Sequence, residues 1–87
     1  MMKKIVGTFN LFELYQSIFL IDDEKQSHIA ICSLDDMAKN IADLCHIHQV
    51  SNVHLFGNAE TAKEIALDIR SNASLKYGNN MIEVEIN

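Results

Sequence analysis

Proline and tryptophan are absent from this chain of 87 residues, and glycine occurs only three times. A composition so poor in proline and glycine is not that of a flexible linker or a low-complexity segment. We therefore expect a single domain over residues 1–87. A domain of this size removes only about 60–65% of its unfolded surface from water, so it needs a well-packed core.

Long apolar runs are also lacking. None is longer than Ile18–Ile21, which is far shorter than the roughly 20 residues that span a bilayer. The basic start, Met1–Lys4, is followed by a segment that Thr8, Asn10 and Glu13 interrupt. We therefore predict neither a signal peptide nor a membrane partner.

Positive charge is scarce as well. The net charge is −5, and Lys3-Lys4 is the longest basic cluster. Proteins that bind nucleic acid in general neutralise phosphates with Lys and Arg, so this balance argues against a nucleic-acid partner.

Two cysteines, Cys32 and Cys45, show no disulfide-framework spacing, which indicates buried thiols in a reducing cytoplasm. Cys45-His46-Ile47-His48 offers at most two metal ligands on one helical face, whereas zinc needs three or four. We therefore expect no metal and no cofactor.

The apolar periodicity predicts five strands and two helices, in the order β-β-β-α-β-α-β. The predicted strands cover residues 4–11, 17–21, 28–32, 53–56 and 81–86, and the helices follow Ser33 and Asn58. A helix between the last two strands makes them parallel neighbours. This order resembles that of ribonuclease H-like and actin-like domains, which implies an α/β fold with a five-stranded mixed sheet in the order 3-2-1-4-5.

Several local details follow from the same patterns. Alternation places Ile5, Gly7, Phe9 and Leu11 on one face of the first strand. The second strand is apolar on both faces, which predicts burial on both sides of the sheet. The helix stripes are Leu34, Met37, Ala38, Ile41, Leu44 and Cys45, then Ala62, Ile65, Ala66, Ile69 and Ala73.

The ends of the helices carry their own signals. Ser33 and Asp36 have the spacing of a capping box, and Asn58 is placed to cap the second helix. Leu67 lies off the apolar stripe and is expected to be exposed. Gly78 tolerates the left-handed backbone that ends a helix.

The ribonuclease H-like resemblance also predicts where chemistry would lie. Nucleases of that fold hold two metal ions with carboxylates on the first strand, in the first helix and at the end of the fourth strand. Here the first strand offers Thr8 and Asn10, and the fourth ends in Gly57-Asn58. We therefore expect no nuclease activity, and we expect His54 to be a hydrogen-bonded strand residue rather than a catalytic base.

An apolar group, Phe12, Leu14 and Tyr15, follows the first predicted strand. These side chains would either cover one end of the core or form a patch for a protein partner or for self-association. Both interpretations remain open at this stage.

Two acidic groups are further interaction candidates: Asp22, Asp23 and Glu24 in a predicted turn, and Glu83 and Glu85 on the last strand. Ordinary solubility explains a mild acidic excess equally well. The two glutamates also suit an edge strand, where charge discourages association between sheets.

Gly7–Ser17, Val53–Asn58 and the ending Val84-Glu85-Ile86-Asn87 resemble small uncharacterised proteins of phages and prophages of low-GC Gram-positive bacteria. The resemblance implies a protein made in the cytoplasm of an infected host cell, and it implies no activity.

The leading hypothesis is a non-enzymatic protein-binding module of phage type, and one role open to it is inhibition of a host defence or nucleic-acid enzyme. The alternative is a degenerate ribonuclease H-like domain that binds nucleic acid or nucleotide without catalysis. A small enzyme that uses His54 or the Cys45 thiol has the least support, because no partner group is identifiable beside either residue.

Overall fold

The computed structural model describes residues 2–87 and contains five strands and two α-helices. Their bounds are β1 Lys3–Thr8, β2 Gln16–Asp22, β3 Lys25–Cys32, α1 Leu34–His48, β4 Asn52–Phe56, α2 Ala59–Tyr77 and β5 Glu83–Ile86. The predicted order of elements is confirmed.

The strands form one mixed sheet in the order β3-β2-β1-β4-β5, as the sequence predicted. β1 pairs antiparallel with β2 and parallel with β4, and β4 pairs parallel with β5. β1 therefore lies at the centre of the sheet, while β3 and β5 form its two edges.

Both helices pack on one face of the sheet and against each other. Their buried side chains join those of the strands in a single apolar core, in which Ile5, Ile18, Met37, Ile41, Leu55 and Ile69 are fully buried. α1 approaches the central strand closely at Gly7, where an added Cβ would lie 2.6 Å from Cε of Met37 and 3.0 Å from Cδ1 of Ile41. Both apolar stripes are confirmed, except that Leu34 and Leu44 are only half-buried.

The opposite face of the sheet is open, because neither helix covers it. Phe19 and Ile21 of β2 point to this face and are half-buried, and Phe56 of β4 is 38% exposed. The prediction that the second strand is buried on both sides is therefore wrong. An unbroken apolar run cannot distinguish full burial from partial cover by neighbouring side chains.

The helix caps are partly as predicted. The Asn58 side chain accepts a hydrogen bond of 3.0 Å from the backbone N–H of Thr61, so this cap is confirmed. The Ser33 hydroxyl makes no such bond and instead donates to the Asp36 carboxylate at 3.2 Å. The capping-box prediction is therefore wrong. Gly78 ends α2 with a φ of 65°, as expected.

The strand boundaries differ from the prediction by two residues or more at three places. β1 ends at Thr8, and Leu11 lies beyond it, 48% exposed, so its predicted place in the strand is wrong. β3 begins at Lys25, which shortens the predicted polar turn to Asp23 and Glu24 between the strands. β5 begins two residues later than predicted, at Glu83. Leu67 is exposed, as predicted.

Candidate protein-binding surface

The connection between β1 and β2, residues 9–15, is an ordered loop at the carboxyl end of β1. Its first residue continues the sheet, since the Phe9 N–H donates to the Phe56 carbonyl at 2.9 Å. A turn follows, in which the Asn10 carbonyl accepts from the Glu13 N–H at 3.1 Å. The Asn10 side-chain oxygen also accepts from the Phe12 N–H at 2.9 Å, an Asx-type contact that fixes the backbone locally.

Gln16 anchors this loop from below. Its Oε1 accepts from the Asn10 N–H at 2.8 Å, and its Nε2 donates to the carbonyls of Asn10 and Glu13 at 3.1 and 2.9 Å. Gln16 is 2% exposed, and it is the one buried polar residue in the described chain. These bonds go to main-chain atoms alone, and they pair three backbone groups of the turn.

A close contact between Phe9 and β4 supports the base of the loop. The Phe9 side chain is 8% exposed and packs over Gly57, where an added Cβ would lie 2.5 Å from the ring. Glycine at this position therefore admits the ring, which fills the end of the core.

The remaining side chains of the loop point outward. Phe12 is 97% exposed, Leu14 82% and Tyr15 63%, and Leu11 is the fourth member of this group, which we call the apolar loop. The structure thus brings together three of the residues that the sequence singled out. They do not cover the core, so the first of the two interpretations is wrong for these three side chains.

The acidic candidates lie elsewhere. Asp22 pairs with Lys3 in the register between β1 and β2, so the turn after β2 is at the opposite end of the sheet from the apolar loop. Glu83 and Glu85 lie on the far edge strand, β5. The two acidic groups are therefore separate from each other and from the loop.

The carboxyl ends of β1 and β4 contain Thr8, Asn10, Gly57 and Asn58, and the last of these is engaged in capping α2. Among residues 2–87, no group of three or more His, Cys, Asp or Glu side chains is arranged to hold a metal ion. His46 of α1 is exposed and stacks on Tyr77 of α2 with 3.9 Å between ring centroids.

His54 lies in the middle of β4, on the open face of the sheet. Its Nδ1 is 3.5 Å from Oε2 of Glu85, and its ring stacks on Phe56 with centroids 4.2 Å apart. Its Nε2 is buried and has no hydrogen-bond partner among the residues described. The predicted hydrogen bond of His54 is therefore not found among the residues described, where its one polar contact is the ion-pair distance to Glu85.

The titratable groups with shifted pKa values belong to the core and to the contact between helices. Burial raises the pKa of the Cys45 thiol to about 12, and burial followed by the charge of Asp36 raises that of Cys32. Both cysteines are buried free thiols, as predicted. The pKa of Asp43 is lowered by hydrogen bonds from Tyr77, at 2.6 Å, and from Lys76, at 2.9 Å.

The sequence pointed to the apolar loop because bulky apolar residues interrupt the strand alternation there. Gln16 and Leu11 were missed as parts of it. A polar residue at the start of a strand carries no sign that it will be buried, because its burial depends on the backbone path of the preceding loop.

The fold is similar to that of RuvC from T. thermophilus in complex with a Holliday junction substrate, with a TM-score of 0.59 at 7% sequence identity. The match covers 100% of this chain and 64% of the RuvC chain, so this chain spans less than two thirds of that protein. The ribonuclease H-like fold is thereby confirmed. At this identity the similarity establishes the fold and not the activity.

A weaker similarity relates the chain to the PPX-GPPA enzyme of Aquifex aeolicus, with a TM-score of 0.37 and 13% identity, over 98% of this chain and 36% of that one. It carries no functional argument. No protein-family model and no curated protein sequence matches the chain. Neither helix in residues 2–87 combines the length and apolar character needed to cross a membrane.

Proposed function

We propose that this protein acts without catalysis, by binding a protein partner through the apolar loop. The observation that carries the proposal is an ordered loop that holds Phe12, Leu14 and Tyr15 in water, with exposed fractions of 97%, 82% and 63%. Exposed aromatic residues on a fixed backbone are typical of binding hot spots.

The hydrogen bonds that anchor the loop support a role for its exposed side chains in binding a partner. Gln16 and the Asn10 side chain together fix the backbone of the turn by four hydrogen bonds. A loop already held in one conformation loses little further entropy when a partner docks, so more of its contact energy contributes to affinity.

The partner that fits has an apolar pocket with a basic group beside it. Phe12 and Leu14 supply the apolar contacts, and Glu13 lies between them in the chain. A cation at the rim of the pocket would pair with Glu13 and would mainly affect the association rate and its salt dependence.

A narrower version of the proposal concerns origin and target: a phage-type protein in the host cytoplasm that inhibits a host defence or nucleic-acid enzyme through its acidic residues. In the sheet register Asp22 lies opposite both Lys3 and Lys25, so the acidic turn is mixed with basic charge. This narrower version predicts that the affinity falls as salt rises and as the acidic charges are reversed. It would be contradicted by binding to such an enzyme that is unchanged by salt and by charge reversal at Asp22, Asp23, Glu24, Glu83 and Glu85.

The test compares four tagged proteins: the unchanged chain, Phe12→Ser, Leu14→Ser and the control Leu67→Ser. Leu67 is 65% exposed on α2, so the control also removes an exposed apolar side chain. Proteins captured from a bacterial lysate are quantified by mass spectrometry, and each candidate is purified and titrated against all four.

A partner of the loop binds the unchanged chain and Leu67→Ser equally, and we expect Phe12→Ser to weaken it about 30-fold or more, as for a hot-spot residue. Equal affinity of all four proteins for every purified candidate would contradict the proposal.

Nucleic-acid binding is the second candidate, because the similar RuvC structure contains a Holliday junction. The net charge of −5 opposes it. A labelled junction or single strand that is shifted at low salt, with an affinity that falls steeply as salt rises, would favour this candidate over the first.

A further inference from the structure

The two edges of the sheet differ in length and charge. β5 has four residues, and two of them, Glu83 and Glu85, are glutamates. β3 has eight residues and carries a single charge, Lys25, at its start. Charged side chains and short length are the usual protections of an edge strand against pairing with another chain. β5 has both protections, whereas β3 is twice as long and its one lysine lies at its start.

A bulge in β3 changes which side chains share a face. Ala30 pairs with Ile18 and His28 pairs with Phe19, so Ile29 is the extra residue. Before the bulge, Lys25 and Ser27 point to the helices, and Gln26 and His28 point to the open face. After it, Ala30 and Cys32 point to the helices, and Ile31 points to the open face.

This change makes β3 complementary to a second copy of itself. When an eight-residue strand pairs antiparallel with its own copy along its full length, residue 25 meets 32 and residue 26 meets 31. In a regular strand these partners would lie on opposite faces, because side chains alternate. The extra residue restores the match on either side of the central pair, His28 with Ile29: Lys25 meets Cys32 and Ser27 meets Ala30 on the helix side, and Gln26 meets Ile31 on the open side.

The charges match in the same register. Ser33 alone separates Cys32 from α1, whose first turn contains Asp35 and Asp36. The Asp36 carboxylate accepts a hydrogen bond of 3.2 Å from the Ser33 hydroxyl, and Ser33 follows Cys32, so the carboxylate lies close to that end of β3. Within residues 2–87 neither Lys25 nor Asp36 forms an ion pair.

We propose that two copies of the chain associate through antiparallel pairing of their β3 strands, which joins two five-stranded sheets into one sheet of ten strands. Lys25 of each copy then lies beside Asp36 of the other. The twofold axis is perpendicular to the sheet, so each contact between residues occurs twice. Because both copies use the same edge, the assembly stops at two chains and does not extend into a fibre. The apolar loops remain free for a partner, and this association does not depend on the proposed function.

A pairing of two short strands is a small interface. We therefore expect association to be visible by sedimentation equilibrium between about 10 µM and about 1 mM, the range typical of weak contacts. Over this range the average mass should rise from the chain mass of 9.8 kDa towards twice that value. A constant chain mass throughout would overturn the proposal.

Charge exchange tests the register. We expect Lys25→Glu and Asp36→Lys each to weaken association roughly tenfold, because symmetry applies each repulsion twice. The double variant, which carries both changes, should restore it to within about threefold. Lys63→Glu on α2 serves as the control for reversal of an exposed lysine and should leave the mass unchanged. Failure of the double variant to recover would overturn the proposed register.

A second variant separates the edge from the apolar loop. Ile31 is 61% exposed, and Leu67 is 65% exposed. Ile31→Lys should abolish the dimer and Leu67→Lys should not, while Phe12→Ser, which disables the loop, should leave the dimer mass intact. Loss of the dimer in Phe12→Ser together with its persistence in Ile31→Lys would assign the interface to the loop and overturn the proposal.

Discussion

At the scale of the single residue, Gln16 lies at the start of β2 with 2% of its surface exposed, and its amide group joins three main-chain groups of the loop. A buried amide stabilises the fold when all its hydrogen bonds are made. Its removal leaves the backbone groups that it bonded without a partner, which costs free energy. The arrangement couples the conformation of an exposed surface to one buried side chain.

Replacement of Gln16 by Leu therefore tests the anchor. The change keeps the approximate size but leaves the Asn10 N–H and two carbonyls without these partners, so we expect the free energy of unfolding to fall by about 2–4 kcal/mol. Urea denaturation measures the loss, and faster hydrogen exchange at the Asn10 and Glu13 amides reports the loosened loop. Gln49→Leu, which removes one exposed bond to His46, is the control and should cost less than about 1 kcal/mol.

His54 presents the opposite case, a buried polar atom without a partner among the residues described. His54→Phe should raise the free energy of unfolding by about 1 kcal/mol, because it removes the unmet nitrogen and keeps the stack on Phe56. Glu85→Gln should change stability by less than about 0.5 kcal/mol, since that carboxylate is 79% exposed. Destabilisation by His54→Phe beyond the effect of Glu85→Gln would show that the histidine contributes a bond of its own.

At the scale of the element, the two helices begin differently although both are preceded by a capping residue. The Asn58 side chain caps α2. The Ser33 hydroxyl bonds to the Asp36 carboxylate instead and makes no hydrogen bond with a backbone N–H of α1. The stability of the two helix starts should therefore respond unequally to the loss of the side chain.

Asn58→Ala should lower the free energy of unfolding by about 1 kcal/mol, and Ser33→Ala by less than about half of that. Chemical denaturation of both single variants and of the double variant measures the difference. Equal losses would mean that Ser33 caps its helix in solution.

The elements also show what the sequence could and could not specify. Apolar periodicity placed both helices and the five strands, because burial on one face imposes a period of 3.6 or 2 on the residues. Periodicity failed at Leu11, because the apolar alternation continues beyond the end of β1. The strand ends at Thr8, and the Gln16 side chain bonds the backbone of Asn10 beyond it. The prediction failed again at Ser33, because the pattern of a capping box cannot reveal which acceptor the hydroxyl chooses.

At the scale of the whole molecule, the sheet order followed from the order of elements, because few topologies allow short connections and parallel neighbours. The apolar loop was only half predictable. Phe12, Leu14 and Tyr15 were identifiable as apolar, but their exposure depended on the core being closed by Phe9 over Gly57. That packing arises between residues far apart in the chain, so no local pattern records it.

Burial of Cys45 in the core makes the stability of the whole domain depend on pH. The pKa of this thiol is raised from 9.0 to about 12, so above pH 9 the unfolded chain loses a proton that the native state keeps. The contribution of the protonated Cys45 thiol to the free energy of unfolding is fully present below pH 9 and is lost as pH rises towards 12.

Cys45→Ala isolates this effect. The difference in unfolding free energy between the unchanged chain and the variant should shrink above pH 9 by at most about 1.4 kcal/mol per pH unit. Urea denaturation under reducing conditions from about pH 8 to about pH 11 measures it, and other titrating groups cancel in the difference. A difference that stays constant across this range would contradict the assigned shift.

The anchor beneath the loop has one more consequence. Because Gln16 recognises only main-chain atoms of Asn10 and Glu13, the side chains at positions 11, 12, 14 and 15 are not needed to maintain the turn. Randomised libraries at these four positions should therefore retain the scaffold while they vary its specificity. This small domain, whose two cysteines are buried free thiols, becomes a candidate framework for selecting new binders.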